Sequence, residues 1–115
     1  MTPNVRRGDV WLIDWNPARG SEQAGVRPAL VVQNDVGNAY SSTTIVAAIS
    51  TRLKKEYPFQ VGIEPGESGL PETGIVKLDQ IMTVDQARLL RKVGALSPPT
   101  MTRVEGALKR SLGIP

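Results

Sequence analysis

The most unusual run in the chain is GSEQAGVRP, residues 20–28, where groups able to do chemistry are crowded among small residues. A hydroxyl, a carboxylate and an amide follow one another on Ser21, Glu22 and Gln23. Because a proline disfavours helical backbone at the residue before it, Pro28 predicts that Arg27 is extended and begins a strand. A guanidinium held in this way can clamp a phosphate with two parallel hydrogen bonds. Taken alone, Arg27 has a second interpretation, a structural ion pair with Glu22 or Asp35.

The 115-residue chain contains no histidine and no cysteine. Histidine is the commonest general acid–base group and metal ligand, so its absence excludes every catalytic triad built on an imidazole. The absence of cysteine excludes disulfides and thiolate zinc sites. Catalysis would therefore depend on arginine, lysine, carboxylates, hydroxyls or backbone amides.

The charge pattern favours an anionic partner. The formal net charge is only +3, but the pI is about 9.6, and basic residues cluster at 6–7, 52–55 and 88–92. Nucleic acid is a reasonable partner for such local positive fields. No apolar stretch approaches the roughly 20 residues that a membrane span needs, and no signal-peptide pattern precedes Val10. We therefore expect a cytoplasmic protein with no membrane segment.

The length fits one domain, residues 1–115, with one modest core. Alternation of apolar residues predicts strands at 9–15, 28–33, 44–49 and 59–63, and one or two more within 75–84. The first strand is apolar on both sides, so it should be covered on both faces, with Trp11 and Trp15 in the core or in a dimer contact. Glycine, proline and polar residues predict a long loop at 16–27, a turn at 34–38 and an irregular connection at 64–74.

The C-terminal part is predicted to contain the main helix. Residues 88–96 fit a short helix and a strand equally well. After them, Ser97 can cap a helix with Pro98 at its first position, and Gly113 can end it. The apolar residues of this helix recur every three or four positions: Met101, Val104, Leu108 and Leu112. The predicted fold class is thus α+β, mainly β, with an amphipathic C-terminal helix packed on a barrel-like sheet.

In order and spacing, three stretches resemble the MazF/PemK-like toxins of type II toxin–antitoxin systems: RGDVWLIDWNPARGSEQAGVRPALVVQND, TIVAAIST and KLDQIMTVD. The resemblance implies an SH3-like barrel of the PemK/CcdB type, assembled as a two-fold homodimer. It also implies sequence-specific cleavage of single-stranded RNA without metal or cofactor, leaving a 2′,3′-cyclic phosphate and a 5′-hydroxyl. A second implied partner is a cognate antitoxin whose acidic, disordered tail folds across the basic groove.

The resemblance also assigns site residues. Arg27 falls on the family's catalytic arginine, and Ser50 falls where many relatives have a catalytic threonine. Thr51 follows directly, so the sequence leaves open which hydroxyl acts. Glu22 matches a position where some relatives are thought to use a glutamate, and it either activates the 2′-hydroxyl or orders the loop. The positions that line the RNA groove in the family are matched by Ser21, Gln23 and Gln80.

Other candidates for RNA binding carry structural alternatives. Tyr57 either stacks a base or closes a loop with the proline that follows it. Lys54 and Lys55 either attract phosphate beside a groove or belong to a solvated loop. Gln80 lies between apolar residues on a predicted strand, where it is either a buried structural amide or a reader of base edges.

The chemistry that these residues suggest is in-line attack by a ribose 2′-oxygen on the adjacent phosphorus. Negative charge then builds on the non-bridging oxygens, where the Arg27 guanidinium and the Ser50 hydroxyl can stabilise it. Arginine is a poor base, so its roles are electrostatic clamp and proton donor to the leaving 5′-oxygen. Two alternatives are a CcdB-like toxin that binds a topoisomerase and a non-catalytic RNA-binding module. Only the nuclease requires Arg27 beside a hydroxyl.

Overall fold

Six antiparallel strands form one sheet in a computed structural model that describes residues 4–15, 25–51 and 57–115. The elements in chain order are β1 (Asp9–Asp14), β2 (Val26–Val31), α1 (Asp35–Tyr40), β3 (Thr43–Ser50), β4 (Gln60–Ile63), α2 (Pro65–Ser68), β5 (Gly74–Asp85), a 3-10 turn (Gln86–Arg88), β6 (Leu89–Ala95) and α3 (Pro98–Leu112). The strand order across the sheet is β4-β5-β3-β2-β1-β6. This architecture confirms the predicted mainly-β fold with a C-terminal helix.

Apolar side chains cover both faces of the sheet because alternate residues of each central strand point to opposite sides. On one face, Val10, Leu30 and Ala47 pack with the helix α3. On the other face lies a second cluster, which includes Trp11, Ile13, Trp15, Ala29, Val31 and Val46. The predicted double coverage of β1 is confirmed. Both tryptophans are buried within this chain, which supports their interpretation as core residues.

The strand β2 begins at Val26, two residues earlier than predicted, so Arg27 lies inside the strand. Pro28 pairs with Leu12 of β1, whereas pairing between β2 and β3 starts only at Ala29. A proline has no N–H to donate to a ladder, which accounts for a β2–β3 ladder that begins just after it.

Two short helices replace segments that were predicted as turn and connection. The turn predicted at 34–38 is wrong, because Asn34 caps α1 by accepting a hydrogen bond from the Gly37 N–H at 2.8 Å. Asparagine favours turns and helix N-caps alike, so its presence alone does not separate the two. Within the connection 64–74, α2 forms one helical turn and ends at Gly69, whose φ of 72° is left-handed.

The strand β5 is a single element of 12 residues with a large irregularity in its pairing. Its first part pairs with β4 on one side and β3 on the other. Ala47 pairs with Ile81, but the next residue, Ala48, pairs with Lys77, so residues 78–80 have no direct partner on β3. The ambiguity at 88–96 is resolved as the strand β6, which pairs with β1.

The helix α3 starts and ends as predicted, with the Ser97 hydroxyl accepting from the Thr100 N–H and Gly113 left-handed at the C-cap. Met101, Val104 and Ala107 are buried against the sheet. Leu112 was predicted on this buried face but is 52% exposed, since it lies in the last turn, beyond the last buried residue of the helix. No helix in the described part of the chain is long and apolar enough to cross a membrane.

Candidate functional site

Arg27 is held in place through its backbone. It pairs directly with Ile13 of β1, and its carbonyl accepts a hydrogen bond from the Trp15 indole N–H at 3.3 Å. The Trp15 backbone N–H in turn donates to the carbonyl of Gly25 at 2.9 Å. Trp15 is buried and Ile13 is fully buried, so the backbone of Arg27 is fixed to the core while its side chain is exposed.

Ser50, the last residue of β3, lies level with Arg27 on the neighbouring strand. The β2–β3 ladder pairs Val31 with Val46 and Ala29 with Ala48. Continuing this register by two residues brings Arg27 opposite Ser50. Residues two apart on a strand share a face, so both side chains belong to the face that carries Ala29 and Ala48. We call this side of the sheet, which bears Ile13, Arg27, Ala29, Ala48 and Ser50, the Arg27 face.

Thr51 follows the end of β3 and is exposed. If the alternation of β3 is continued by one residue, the Thr51 side chain points away from the Arg27 face. Alternation therefore favours Ser50 over Thr51 as the hydroxyl on the Arg27 face.

The strand β5 contributes two polar residues to the same region. Lys77 pairs with Ala48, and Ile75 pairs with Ser50, so Lys77 and Ile75 lie on the Arg27 face. Gln80 lies in the segment 78–80, which has no direct partner on β3, and is exposed. Its interpretation as a buried structural amide is therefore wrong, and its amide is accessible to a ligand.

Tyr57 lies just before β4 and is 46% exposed. Its ring stacks in parallel on the ring of Phe59, with centroids 5.6 Å apart and 3° between the planes. Its backbone N–H donates to the Gln60 side-chain oxygen at 3.3 Å. These contacts close a local turn, and one face of the Tyr57 ring is occupied by Phe59.

Several predicted site residues lie outside the described residues: Ser21, Glu22, Gln23, Lys54 and Lys55. Asp35, one of the two suggested ion-pair partners of Arg27, accepts hydrogen bonds from the Arg7 backbone N–H at 2.7 Å and from the Asn38 amide. The hydrogen bond from Arg7 lowers the pKa of the Asp35 carboxyl below its usual value. Asp35 thus ties the segment before β1 to the helix α1.

Positive charge on this part of the molecule comes from Arg27 and Lys77 on strands and from Arg88 in the 3-10 turn between β5 and β6. The Arg88 guanidinium donates a hydrogen bond to the carbonyl of Asp14 at 3.1 Å. This bond stabilises the end of β1, one residue after the partner of Arg27. Within the described ranges, no group of three or more acidic side chains is gathered as a metal site would require. The arrangement can bind and neutralise a phosphate with Arg27 and a hydroxyl.

Two residues of this site were missed by sequence reasoning. Trp15 was predicted as a core residue, and it also donates the hydrogen bond that holds the carbonyl of Arg27. Lys77 was not singled out at all. Alternation along β5 predicts that Lys77 and Ile75 share a face of the sheet. Only their pairing with Ala48 and Ser50 shows that this is the Arg27 face.

Comparisons with known proteins agree with this architecture. Residues 6–112 match the family model for the PemK-like, MazF-like toxins of type II toxin–antitoxin systems. Among solved structures, an endoribonuclease from a mycobacterial species is 26% identical with a TM-score of 0.81, covering 99% of this chain and 96% of its own. A mycobacterial endoribonuclease in complex with its cognate antitoxin is 28% identical with a TM-score of 0.82, covering 96% of this chain and 97% of its own.

MazF from Deinococcus radiodurans is similar over an equally complete length. It is 28% identical with a TM-score of 0.77, and the match covers 99% of both chains. Since the family model spans nearly every residue and the solved structures share the whole fold, the chain belongs to the PemK-like, MazF-like toxins of type II toxin–antitoxin systems.

Proposed function

We propose that the protein is an endoribonuclease that cuts single-stranded RNA at specific sequences. The observation that supports the proposal is the register of β2 and β3: continued two residues beyond the Ala29–Ala48 pair, it puts Arg27 and Ser50 at the same level and on the same face of neighbouring strands. The endoribonucleases among its structural relatives support the same activity. A single phosphate can reach both groups because adjacent strands lie only about 5 Å apart.

In the proposed mechanism the RNA supplies its own nucleophile. The ribose 2′-oxygen attacks the adjacent phosphorus, the bond to the 5′-oxygen breaks, and the products are a 2′,3′-cyclic phosphate and a 5′-hydroxyl. Arg27 and the Ser50 hydroxyl stabilise the charge on the non-bridging oxygens, and Arg27 is also placed to donate a proton to the leaving oxygen. Glu22 remains our candidate for taking the proton from the 2′-hydroxyl. No step in this scheme calls for a metal ion or a cofactor.

RNA binding is assigned to residues around the same face. Gln80 is exposed in the part of β5 that has no partner on β3, and its amide is suited to reading a base edge. Ser21, Gln23, Lys54 and Lys55 complete the proposed RNA contacts. Tyr57 stays a candidate for stacking a base on the side of its ring opposite Phe59.

We further propose that the active form is a homodimer in the cytoplasm and that a cognate antitoxin inhibits it. One structural relative is itself a complex with its antitoxin. An acidic disordered segment laid over the Arg27 face would compete with RNA for the same cations.

The first prediction tests cleavage directly. Purified protein should cut a mixed-sequence single-stranded RNA in the presence of EDTA, and Arg27→Ala should lower the rate by about 100-fold or more, because one donor to the charged phosphate is lost. Gel analysis of the digests gives the rates, and size-exclusion chromatography checks that the variant keeps its fold and assembly.

Arg91→Ala is the matched control for this experiment. Arg91 is exposed and pairs with Leu12, which lies on the face opposite Ile13 and Arg27, so its loss should leave cleavage near the wild-type rate. Intact RNA after prolonged incubation with wild-type protein would reject the nuclease. Inhibition of a topoisomerase by a protein that leaves RNA intact would favour the CcdB-like alternative, and RNA binding alone would favour the non-catalytic module.

A further inference from the structure

Lys77 is a cation on the Arg27 face to which no role has been assigned. It pairs directly with Ala48 on β3, one same-face position away from Ser50. On its other side it pairs with Gln60 of β4. With about 3.3 Å per residue along a strand, the Lys77 level lies roughly 7 Å from the Ser50 level and one strand further from Arg27.

The described residues around Lys77 leave its charge available. The residue is half-buried, so its alkyl stem covers the sheet while its ammonium can reach solvent. Among the described residues, neither of the two ion pairs nor any hydrogen bond involves this ammonium. By contrast, Lys92 on β6 is neutralised by the buried Asp9 at 3.2 Å.

The cross-strand partners of Lys77 do not compete for its charge. Its cross-strand partner Ala48 has no polar side chain, and Gln60 directs its side-chain oxygen to the Tyr57 N–H. Lys77 is half-buried and next to the proposed reacting groups, and the described residues give its ammonium no partner, so an anion of the substrate can fill that place. The compact ammonium suits a phosphate without demanding a fixed orientation.

We propose that Lys77 binds a phosphate of the RNA strand next to the scissile one, on the β5 side of the site. The inference rests on the proposed function, since it assumes RNA on the Arg27 face. The contact is to the backbone, so it adds affinity equally for every sequence and leaves base selection to other residues. Lys77 is thus a binding residue that positions the strand while Arg27 and Ser50 act on the scissile phosphate.

The experiment measures how salt affects cleavage by wild-type, Lys77→Gln and Lys77→Arg proteins. Initial rates on a mixed-sequence single-stranded RNA below saturation give kcat/KM at several salt concentrations. Each phosphate contact to a single strand contributes about 0.7 to the slope of log affinity against log salt. Lys77→Gln should therefore lower the slope of log kcat/KM by about 0.7, while Lys77→Arg should keep the wild-type slope.

The lower slope has a direct consequence for the rates. Between about 50 and 200 mM salt, the ratio of wild-type to Lys77→Gln kcat/KM should shrink by roughly 2.6-fold, the fourfold change in salt raised to the power 0.7. The loss at low salt should appear in KM, with kcat within about twofold of the wild type, because the contact is equally strong before and during the reaction.

Lys109→Gln is the control with the same change of charge. Lys109 is exposed in the last turn of α3, which packs on the opposite face of the sheet, so its slope should match the wild type. A Lys77→Gln slope equal to that of the wild type, or an equal drop in Lys109→Gln, would overturn the phosphate contact. Absence of cleavage by the wild type would instead refute the proposed nuclease, so the two failures are distinguishable.

Discussion

The position of Arg27 depends on backbone contacts more than on its own side chain. Val26 and Arg27 begin β2, and the buried indole of Trp15, the residue after β1, donates a hydrogen bond to the Arg27 carbonyl. A proline directly after the arginine keeps the backbone extended. At the scale of single residues, the backbone of Arg27 is therefore already fixed before a phosphate binds. This lowers the conformational entropy that binding costs.

The choice between two neighbouring hydroxyls is a prediction at this same scale. Ser50→Ala should lower kcat by about 10- to 100-fold, because the hydroxyl on the Arg27 face donates to the charged phosphate oxygens. Thr51→Ala should stay within about twofold, since alternation directs Thr51 to the other side. Single-turnover cleavage of one defined RNA measures both. An active Ser50→Ala beside an inactive Thr51→Ala would move the role by one residue.

At the scale of elements, the edge strand β6 depends on the short helix α2. A side-chain carbon placed on Gly69 would lie 1.7 Å from the carbonyl oxygen of Val93, and one on Gly94 would lie 2.4 Å from the carbonyl of Glu67. Two glycines thus let the backbones of α2 and β6 approach each other closely. Without that contact, part of the exposed edge of the sheet would lose its cover.

Gly69→Ala should consequently be strongly destabilising. The substitution meets the Val93 carbonyl and also requires the left-handed φ of 72°, so we expect a loss of about 3 kcal/mol or more in the free energy of unfolding. Gly66→Ala, in the same helix with open space around it, should be neutral or stabilising by up to about 1 kcal/mol. Urea titrations of both variants provide the comparison, and equal stabilities would contradict the close approach.

At the scale of the whole molecule, a few carboxylates tie distant segments together. Glu67 of α2 accepts from the Ser97 N–H at 2.7 Å and from the Thr100 hydroxyl at 2.8 Å, and so fixes the start of α3. Glu105 of α3 pairs with Arg7 at 3.1 Å and links the helix to the segment before β1. The Glu67 carboxylate must be ionised to act in full, which makes the stability of the fold sensitive to acid.

Glu67→Gln should flatten the dependence of stability on pH. The hydrogen bond from the Ser97 N–H, with that from Thr100, lowers the pKa of the Glu67 carboxyl below its usual value. A carboxyl whose pKa is lower in the folded state stabilises fully above its unfolded pKa, and this stabilisation is lost as the pH falls through the folded pKa.

The measurement is a series of melting temperatures from about pH 7 down to about pH 3, a range that brackets the titration of an ordinary glutamate. The wild type should lose more stability than Glu67→Gln over this range. Glu72→Gln, an exposed site with the same change of charge, should follow the wild-type curve. Parallel curves for wild type and Glu67→Gln would show that Glu67 does not contribute.

The sequence by itself determined the features that depend on local patterns. The strands around β1 and β3 follow from alternating apolar residues, and α3 follows from its cap, its stop and its spacing. The motif around Arg27 identified the family and the proposed catalytic residues, because turns and strand starts depend on residues that are adjacent in the sequence. The short helices were missed, since asparagine and proline start turns and helices equally well.

Only the tertiary structure decided which side chains share a face with Arg27. Contacts between distant segments set the pairing of Ala48 with Lys77, and they also leave the next three residues of β5 without a partner on β3. A shift of one residue in that register would send Lys77 to the opposite face, and nothing within the strand itself specifies the shift. The strand β6 was likewise ambiguous until its pairing with β1 was known. A segment this short does not show whether its apolar residues follow the helical or the strand period.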